Sequence, residues 1–222
     1  FASLLLAEHN PTAVISPIDP GLSSFKVEEI SKVKGEEIAQ DGFGSFTDYL
    51  IPNEHLNHLY EACLPKEGGA YITVGTFRGM NIASSGKVSH LVLMDINRTI
   101  AFFNRANIQL INKASDRFEY LSFLVSGKSN PDLEQKARRG EINLTDFLMK
   151  LPKSSDPVQD WKALGIILTD EEFQHLRTHS SSYTLEGVRQ ALGKFEKVGA
   201  EDKTYFGSND RFDKIKELIS QN

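Results

Sequence analysis

Residues 88–94 form a nearly continuous apolar run that ends at Asp95, and this run constrains the fold more than any other part of the sequence. Such a run is typical of a strand buried on both faces, as in a parallel sheet. A second β-rich run, Ala70–Val74, precedes it, and a glycine-containing turn and a short helical segment lie between the two. Residues 97–111 then have the apolar spacing of a helix. This order of elements predicts an α/β fold of the Rossmann type.

The length of 222 residues favours one domain or one domain with an appendage. Residues 1–52 contain scattered prolines and glycines and predict an irregular N-terminal arm, with at most short strands near 13–15 and 46–51. Residues 53–222 are predicted to form the Rossmann-like α/β domain, with a helical insertion at about 113–200. Its first helix begins at Asn53 and ends near Leu64.

The predicted sheet has too few strands to be complete. Only two strong strands lie in the central unit, and two strands do not make a stable open sheet. Either the N-terminal arm and residues 166–168 supply more strands, or the native protein continues past Asn222 and this sheet is incomplete.

After residue 112 the sequence predicts mostly helices. Residues 118–125, 131–139, 145–151 and 160–168 have helical patterns, and residues 185–198 predict a further helix. Thr169 and Glu172 have the spacing of a capping box, which predicts a helix that continues to about Thr178. Ser208 is placed to cap a last helix, Asn209–Ser220.

The composition excludes some classes of partner and leaves the compartment open. The net charge of -5 argues against a nucleic-acid partner, because phosphate neutralisation needs a clustered positive surface. No run approaches the length of a membrane span. The single cysteine, Cys63, is predicted to be a small buried side chain. The chain starts at Phe1, which follows either a trimmed hydrophobic signal sequence or an arbitrary boundary. The compartment therefore stays open, and the cytoplasm is slightly favoured.

The strand–turn–helix–strand unit has the parts of a nucleotide-cofactor site. Gly75 and Gly79 flank the turn after the first strand, and Asp95 ends the second strand, 20 residues after Gly75. In such sites glycines let the backbone approach the ligand, and the strand-ending acid accepts hydrogen bonds from ribose hydroxyls. The alternative is that Asp95 only caps the next helix and Gly75 only forms a tight turn.

The turn departs from the glycine-rich loop of methyltransferases, which reads acid-x-Gly-x-Gly-x-Gly. Thr73 takes the place of the opening acid, and the bulky Phe77 takes the place of the middle glycine. These two positions favour a fold that has lost its ligand site and acts through protein contacts.

Three segments carry a resemblance to a known family: residues 70–76, residues 92–98 and residues 205–212, the last with a Tyr-x-x-Ser-x-x-x-Phe pattern. From about residue 48 to the end, the chain resembles an uncharacterised bacterial family of S-adenosylmethionine-dependent methyltransferase-like proteins. The resemblance implies a Rossmann-like, methyltransferase-like fold that binds S-adenosylmethionine as its small-molecule cofactor. The cofactor-binding residues that we expect are Gly75, Thr76, Phe77, Gly79, Asp95, Ile96 and Arg98.

Two other hypotheses compete with a methyltransferase of unknown acceptor. One is a non-catalytic protein-interaction module that keeps a degenerate Rossmann-like fold, and the other is a protein that binds a different adenine nucleotide. No catalytic base can be named from the sequence. Many methyl transfers need little beyond positioning and desolvation, so the missing base does not exclude activity.

Several polar residues have two interpretations. Arg98 pairs with Asp95 or meets a ligand carboxylate. The asparagines of the predicted 97–111 helix either line a polar cleft or lie on the exposed face, since asparagine is a poor helix former; they are Asn97, Asn104 and Asn107.

The histidines have spacings that fit metal sites only in part. His175 and His179 lie four residues apart, and His55 and His58 lie three apart, but no third ligand is apparent in either case. We therefore expect exposed helix faces there and no metal. His90 lies within the second strand and is expected to be a core histidine.

Overall fold

A computed structural model describes the backbone of residues 12–15 and residues 64, 68–86, 88–95, 97–180 and 204–220. Within these residues three strands form one sheet: β1 is Thr12–Ile15, β2 is Ala70–Val74 and β3 is His90–Asp95. The strand order is β1-β3-β2. β2 runs parallel to β3, and β1 runs antiparallel to it. The N-terminal arm therefore contributes a strand to the sheet.

Eight helices account for most of the described residues. They are α1 (Phe77–Ala83), α2 (Arg98–Lys113), α3 (Arg117–Ser126), α4 (Pro131–Arg138), α5 (Leu144–Lys150), α6 (Pro157–Ala163), α7 (Asp170–Ser180) and α8 (Asn209–Ser220). The protein is thus an α/β protein that is mostly helical and has a small sheet with one parallel strand pair. None of these described helices is both long and apolar enough to cross a bilayer.

The helices lie against one face of the sheet. Leu91 and Leu93 of β3 are buried, whereas Val92 and Met94, which alternate with them, are only half-buried. α1 packs on β2 and β3, and α2 packs on β3 and β1. The prediction that the second strand is buried on both faces is therefore not met within the described residues, where only the face towards α1 and α2 is fully covered.

Helix α2 lies at the centre of the fold. It contacts β1 and β3 on one side and α3, α7 and α8 on others. Its buried positions include Phe103, Ala106 and Leu110, which recur at helical spacing and line the hydrophobic core. The indole of Trp161 from α6 reaches into this core and donates a hydrogen bond to the carbonyl of Phe123 at 2.9 Å.

Side chains and glycines set the helix ends. Asn97 accepts from the amide of Thr99 and begins α2, and Asp116 caps α3 in the same way. Gly127 has a φ of 66° and ends α3, since this conformation favours glycine. The predicted capping box of α7 is confirmed: the Glu172 amide donates to the Thr169 hydroxyl oxygen, and the Glu172 carboxylate accepts from the Thr169 amide.

One predicted helix has different bounds. The pattern at residues 160–168 predicted a helix there, but α6 begins at Pro157 and ends at Ala163, because Gly165 adopts a φ of 82°. Residues 166–168 do not form a strand either. Instead, the side-chain amide of Gln109 accepts from the backbone N–H of Ile167 and donates to its C=O. The predictions for residues 46–51, 53–63 and 185–198 lie outside the described residues.

Candidate functional site

The predicted glycine turn and the predicted acid lie side by side at one edge of the sheet. In the parallel ladder Val74 is paired with Met94, and the amide of Gly75 donates to the Met94 carbonyl at 3.2 Å. The register therefore sets Gly75 beside Asp95, where both strands end. The carboxyl ends of parallel strands are the usual place for ligand crevices in α/β proteins.

Gly75 has the backbone conformation that a close ligand approach requires. Its φ is 89°, and apart from Gly75 itself and its two chain neighbours no heavy atom lies within 4 Å of the place where a Cβ would stand. Its carbonyl accepts a hydrogen bond of 3.1 Å from the Asn104 side-chain amide of α2. The backbone N–H and C=O of Gly75 are thus both bonded within the protein, which holds the turn in place and leaves its Cα next to open space.

Two buried polar atoms border this turn without a hydrogen-bond partner. They are the hydroxyl oxygen of Thr76 and the carbonyl oxygen of the Asn104 side chain. Both residues are at least 98% buried. An unsatisfied buried polar atom costs about 1–3 kcal/mol, so such atoms usually meet an ordered water or a ligand group. The sequence did not assign Asn104 to the turn, because residues 75 and 104 are 29 positions apart.

Phe77, which takes the place of the middle glycine and was predicted to bind the cofactor, lies in the hydrophobic core. Its ring is 1% exposed and packs in the core against Phe103, Tyr205 and Phe206, with centroids about 6 Å apart. Phe77 is therefore a core side chain, and its ring offers almost no exposed surface to a ligand.

Gly79 serves packing between α1 and the sheet. A Cβ at this position would stand 2.2 Å from Cγ2 of Thr73 and 3.1 Å from Cδ2 of Leu93. The glycine therefore allows α1 to lie against β2 and β3, which is the role of the third glycine in dinucleotide-binding turns. It faces the sheet, so the prediction that it contacts a cofactor does not fit this geometry.

Asp95 and Asn97 organise the start of α2. The Asp95 carboxylate accepts from the Asn97 amide at 2.8 Å, and Asn97 caps the helix. The alternative that Asp95 itself caps the helix is therefore wrong in detail, since Asn97 takes that place. Ile96, which was predicted to bind the cofactor, lies outside the described residues.

The polar residues at and within α2 do not face open solvent as a group. Arg98 has a partner on α7, and two of the asparagines are buried in the core. Arg98 pairs with Glu171 at 3.4 Å, and both side chains are mostly exposed. The asparagines of α2 are not on an exposed face: Asn104 and Asn107 are buried, and Asn97 is half-buried.

Helix α7 forms polar contacts that the sequence did not reveal. Nε2 of His175 lies 2.9 Å from the Thr99 hydroxyl, and its ring meets Phe102 edge to face. Arg105 forms a largely buried ion pair with Glu172. The capping-box pattern predicted the position of Glu172 at the start of a helix. It did not indicate Arg105 as the partner of Glu172, because the two residues are 67 positions apart in the sequence.

The remaining candidates carry no comparable chemistry. Within the described residues, no group of three or more histidine, cysteine or acidic side chains is arranged to hold a metal. His90 is half-buried and lies 3.0 Å from the Ser89 hydroxyl, so it is not a core residue. A recess of about 480 Å³ between the end of α3 and the start of α6 has Lys128 and Lys153 in its lining. The cysteine, His55, His58 and the side chain of His179 lie outside the described residues.

Comparison with known protein families gives a match whose function is undefined. Residues 49–137 match the model of a family described as a domain of unknown function (DUF7790). The match covers less than half of the chain and includes β2, α1, β3, α2 and α3. No curated protein and no solved structure matches the chain.

Proposed function

We propose that this protein binds S-adenosylmethionine at the edge of the sheet where Gly75 and Asp95 lie side by side, and that it is a methyltransferase-like protein with a Rossmann-like fold. The proposal rests on one observation. A glycine with a φ of 89° and open space at its missing Cβ is hydrogen-bonded to β3, one residue before the acid that ends that strand. The resemblance to a methyltransferase-like family supports the choice of cofactor.

The residues at this edge of the sheet suit the two polar ends of such a cofactor. Asp95 would accept hydrogen bonds from the ribose hydroxyls, which is the role of a strand-ending acid in Rossmann-like sites. The bare Cα of Gly75 would allow the aminoacyl end to approach the turn. Beside it, the Thr76 hydroxyl and the Asn104 carbonyl oxygen are buried atoms that still lack a partner.

The chemistry would depend on positioning. The bound cofactor supplies an electrophilic methyl group, and the protein would hold that group in line with an acceptor and keep water away. The hydrogen bonds from the Gly75 turn to Met94 and Asn104 fix the turn before any ligand binds. A rigid turn of this kind reduces the entropy lost on binding.

Calorimetric titration with S-adenosylmethionine, S-adenosylhomocysteine and NAD tests the proposal. We expect the two adenosyl ligands to bind and Asp95→Ala to weaken them at least tenfold. Asp95→Asn is the more conservative variant, since it keeps an acceptor for the Asn97 amide. Asp146→Ala, an exposed acid of α5 that lies apart from this edge in sequence, is the matched control. Failure of all three ligands to bind the folded wild-type protein would end the proposal.

A protein-interaction module is the second candidate. It is favoured by the fact that polar groups of the turn are already hydrogen-bonded within the protein. Gly75 uses both backbone groups internally, and Asp95 is engaged with the Asn97 amide. The titration separates this candidate from the first, because a module without a ligand site binds none of the three ligands. Binding of NAD alone would instead support the hypothesis of another adenine nucleotide.

A further inference from the structure

The recess of about 480 Å³ beside the end of α3 has the dimensions of a small-molecule site. It lies between that helix end, the loop that connects α5 to α6, and α6 itself, and every residue of its lining belongs to the described part of the chain. Sites for small molecules have volumes of about 300–1,000 Å³. None of the lining residues belongs to the sheet edge where Gly75 and Asp95 lie.

The walls of the recess are fixed by contacts within the protein. A Cβ at Gly127 would stand 2.0 Å from the Cβ of Asp160, so glycine is required where the end of α3 meets α6. On one wall, the Ser126 hydroxyl accepts a hydrogen bond of 2.8 Å from the side-chain amide of Asn130. On the other wall, the Ser154 hydroxyl donates to the Asp160 carboxylate. A recess that is already shaped in this way lowers the entropy cost of binding.

Two lysines of the lining have ammonium groups without an acidic partner. Lys128 follows the end of α3, and Lys153 lies in the loop after α5, so they belong to different walls. Among the described residues neither ammonium group forms an ion pair, whereas Lys162 of α6 is paired with Asp170. A phosphate monoester carries about -1.5 to -2 charges at pH 7 and therefore suits two ammonium groups better than a carboxylate does.

The acid of the lining limits what else the ligand can carry. Oδ2 of Asp160 accepts from Ser154, which leaves Oδ1 as an acceptor. A second anionic group would be repelled by this carboxylate, whereas a hydroxyl group can donate to it. Pro152 and Leu164 add apolar surface to the lining, which suits the C–H groups of a sugar ring.

We propose that this recess binds a small phosphorylated sugar. Lys128 and Lys153 contact its phosphate group, and Asp160 accepts hydrogen bonds from its hydroxyl groups. The site shares no residue with the proposed cofactor site and does not depend on it. A free phosphate ion and a neutral sugar each offer one half of this chemistry, so the experiment has to separate them from the phosphate ester.

Titration calorimetry of the full 222-residue protein at low ionic strength tests the site with three probes: glucose 6-phosphate, inorganic phosphate and glucose. Glucose 6-phosphate should bind most tightly, because it alone can contact the two lysines and Asp160 together. Added salt should weaken its binding, since charges that are exposed to solvent are screened.

Lys128→Gln and Lys153→Gln should each weaken the binding of glucose 6-phosphate about five- to tenfold, because each removes one charged contact with the phosphate. Both side chains are exposed, so the variants should fold. Lys113→Gln is the matched control, since it changes the net charge equally at an exposed lysine of α2 that lies outside the lining. Asp160→Asn should strengthen the binding of inorganic phosphate and reduce the preference for the sugar phosphate.

Three results would overturn the proposal. The first is failure of glucose 6-phosphate to bind the folded wild-type protein. The second is an equal loss of affinity in Lys113→Gln and in the two recess variants, which would indicate a general effect of net charge. The third is inorganic phosphate or glucose binding as tightly as glucose 6-phosphate, because the recess would then recognise only one half of the ester.

Discussion

Asn107 lies at the centre of a buried hydrogen-bond network that joins three separate parts of the chain. Its carbonyl oxygen accepts from the Tyr120 hydroxyl at 2.7 Å, and its amide donates to the Tyr205 hydroxyl at 3.3 Å. The two tyrosine oxygens are 2.6 Å apart. A network of this kind is stabilising only when every member has a partner, so each of the three side chains depends on the others.

The two tyrosines make stability sensitive to alkaline pH. Burial, and then the neighbouring Tyr205, raises the pKa of Tyr120 well above its usual value of 10, and burial raises the pKa of Tyr205 as well. The folded state therefore keeps protons that the unfolded state releases above pH 10. Stability is complete below that pH and should fall above it, by up to about 1.4 kcal/mol per pH unit for each tyrosine.

Urea unfolding at several pH values between 9 and 11 measures this dependence. Tyr120→Phe should reduce the slope, because it removes one of the two titrating groups. Phe212→Leu, a substitution in a ring that packs against Tyr120, should lower stability and keep the slope of the wild type. Equal slopes in wild type and Tyr120→Phe would contradict the prediction.

Among the elements, α1 depends on a close approach to β2. Gly79→Ala would place a Cβ 2.2 Å from Cγ2 of Thr73, so we expect a loss of about 1–3 kcal/mol in the free energy of unfolding. Thr73→Ser removes that methyl group and should recover much of the loss in the double variant. Chemical denaturation of both single variants and the double variant measures the coupling. Additive losses would show that the two residues do not clash.

The local order of elements was predictable, whereas the contacts between distant elements were not. The β2–α1–β3–α2 unit follows from apolar runs, a glycine turn and a cap, all of which are local signals. Asn104 and Asn107 are poor helix formers with partners at Gly75, Tyr120 and Tyr205, so their local sequence gave no indication of burial. For the same reason Phe77, a mismatch in the motif, could not be recognised as a core residue.

On the scale of the whole molecule, the N-terminal arm and the α/β domain share one sheet. The sequence predicted residues 1–52 as an irregular arm with at most short strands, one of them near residues 13–15. That strand is confirmed as β1, which pairs with β3 over four residues. Without β1, the free edge of β3 would expose unpaired backbone groups and invite pairing with other chains.

Removal of residues 1–16 should therefore lower the melting temperature and promote association. We expect a decrease of several degrees, because one strand ladder and its packing on α2 are lost. Differential scanning calorimetry and size-exclusion chromatography provide the measurement, and a chain that lacks only residues 1–9 is the control. A melting temperature equal to that of the full chain would show that β1 adds nothing to stability.

Helix α2 borders the sheet on one side and α3, α7 and α8 on the others. A substitution on one side of α2 therefore has to fit the sheet, and a substitution on the other side has to fit the neighbouring helices. For this reason we expect that the helical part of the chain cannot be replaced as a unit by that of a related protein. A chimaera joined in the loop after α2 would inherit one matched surface and one foreign surface. Divergence in this protein should accordingly proceed by paired changes on either side of α2.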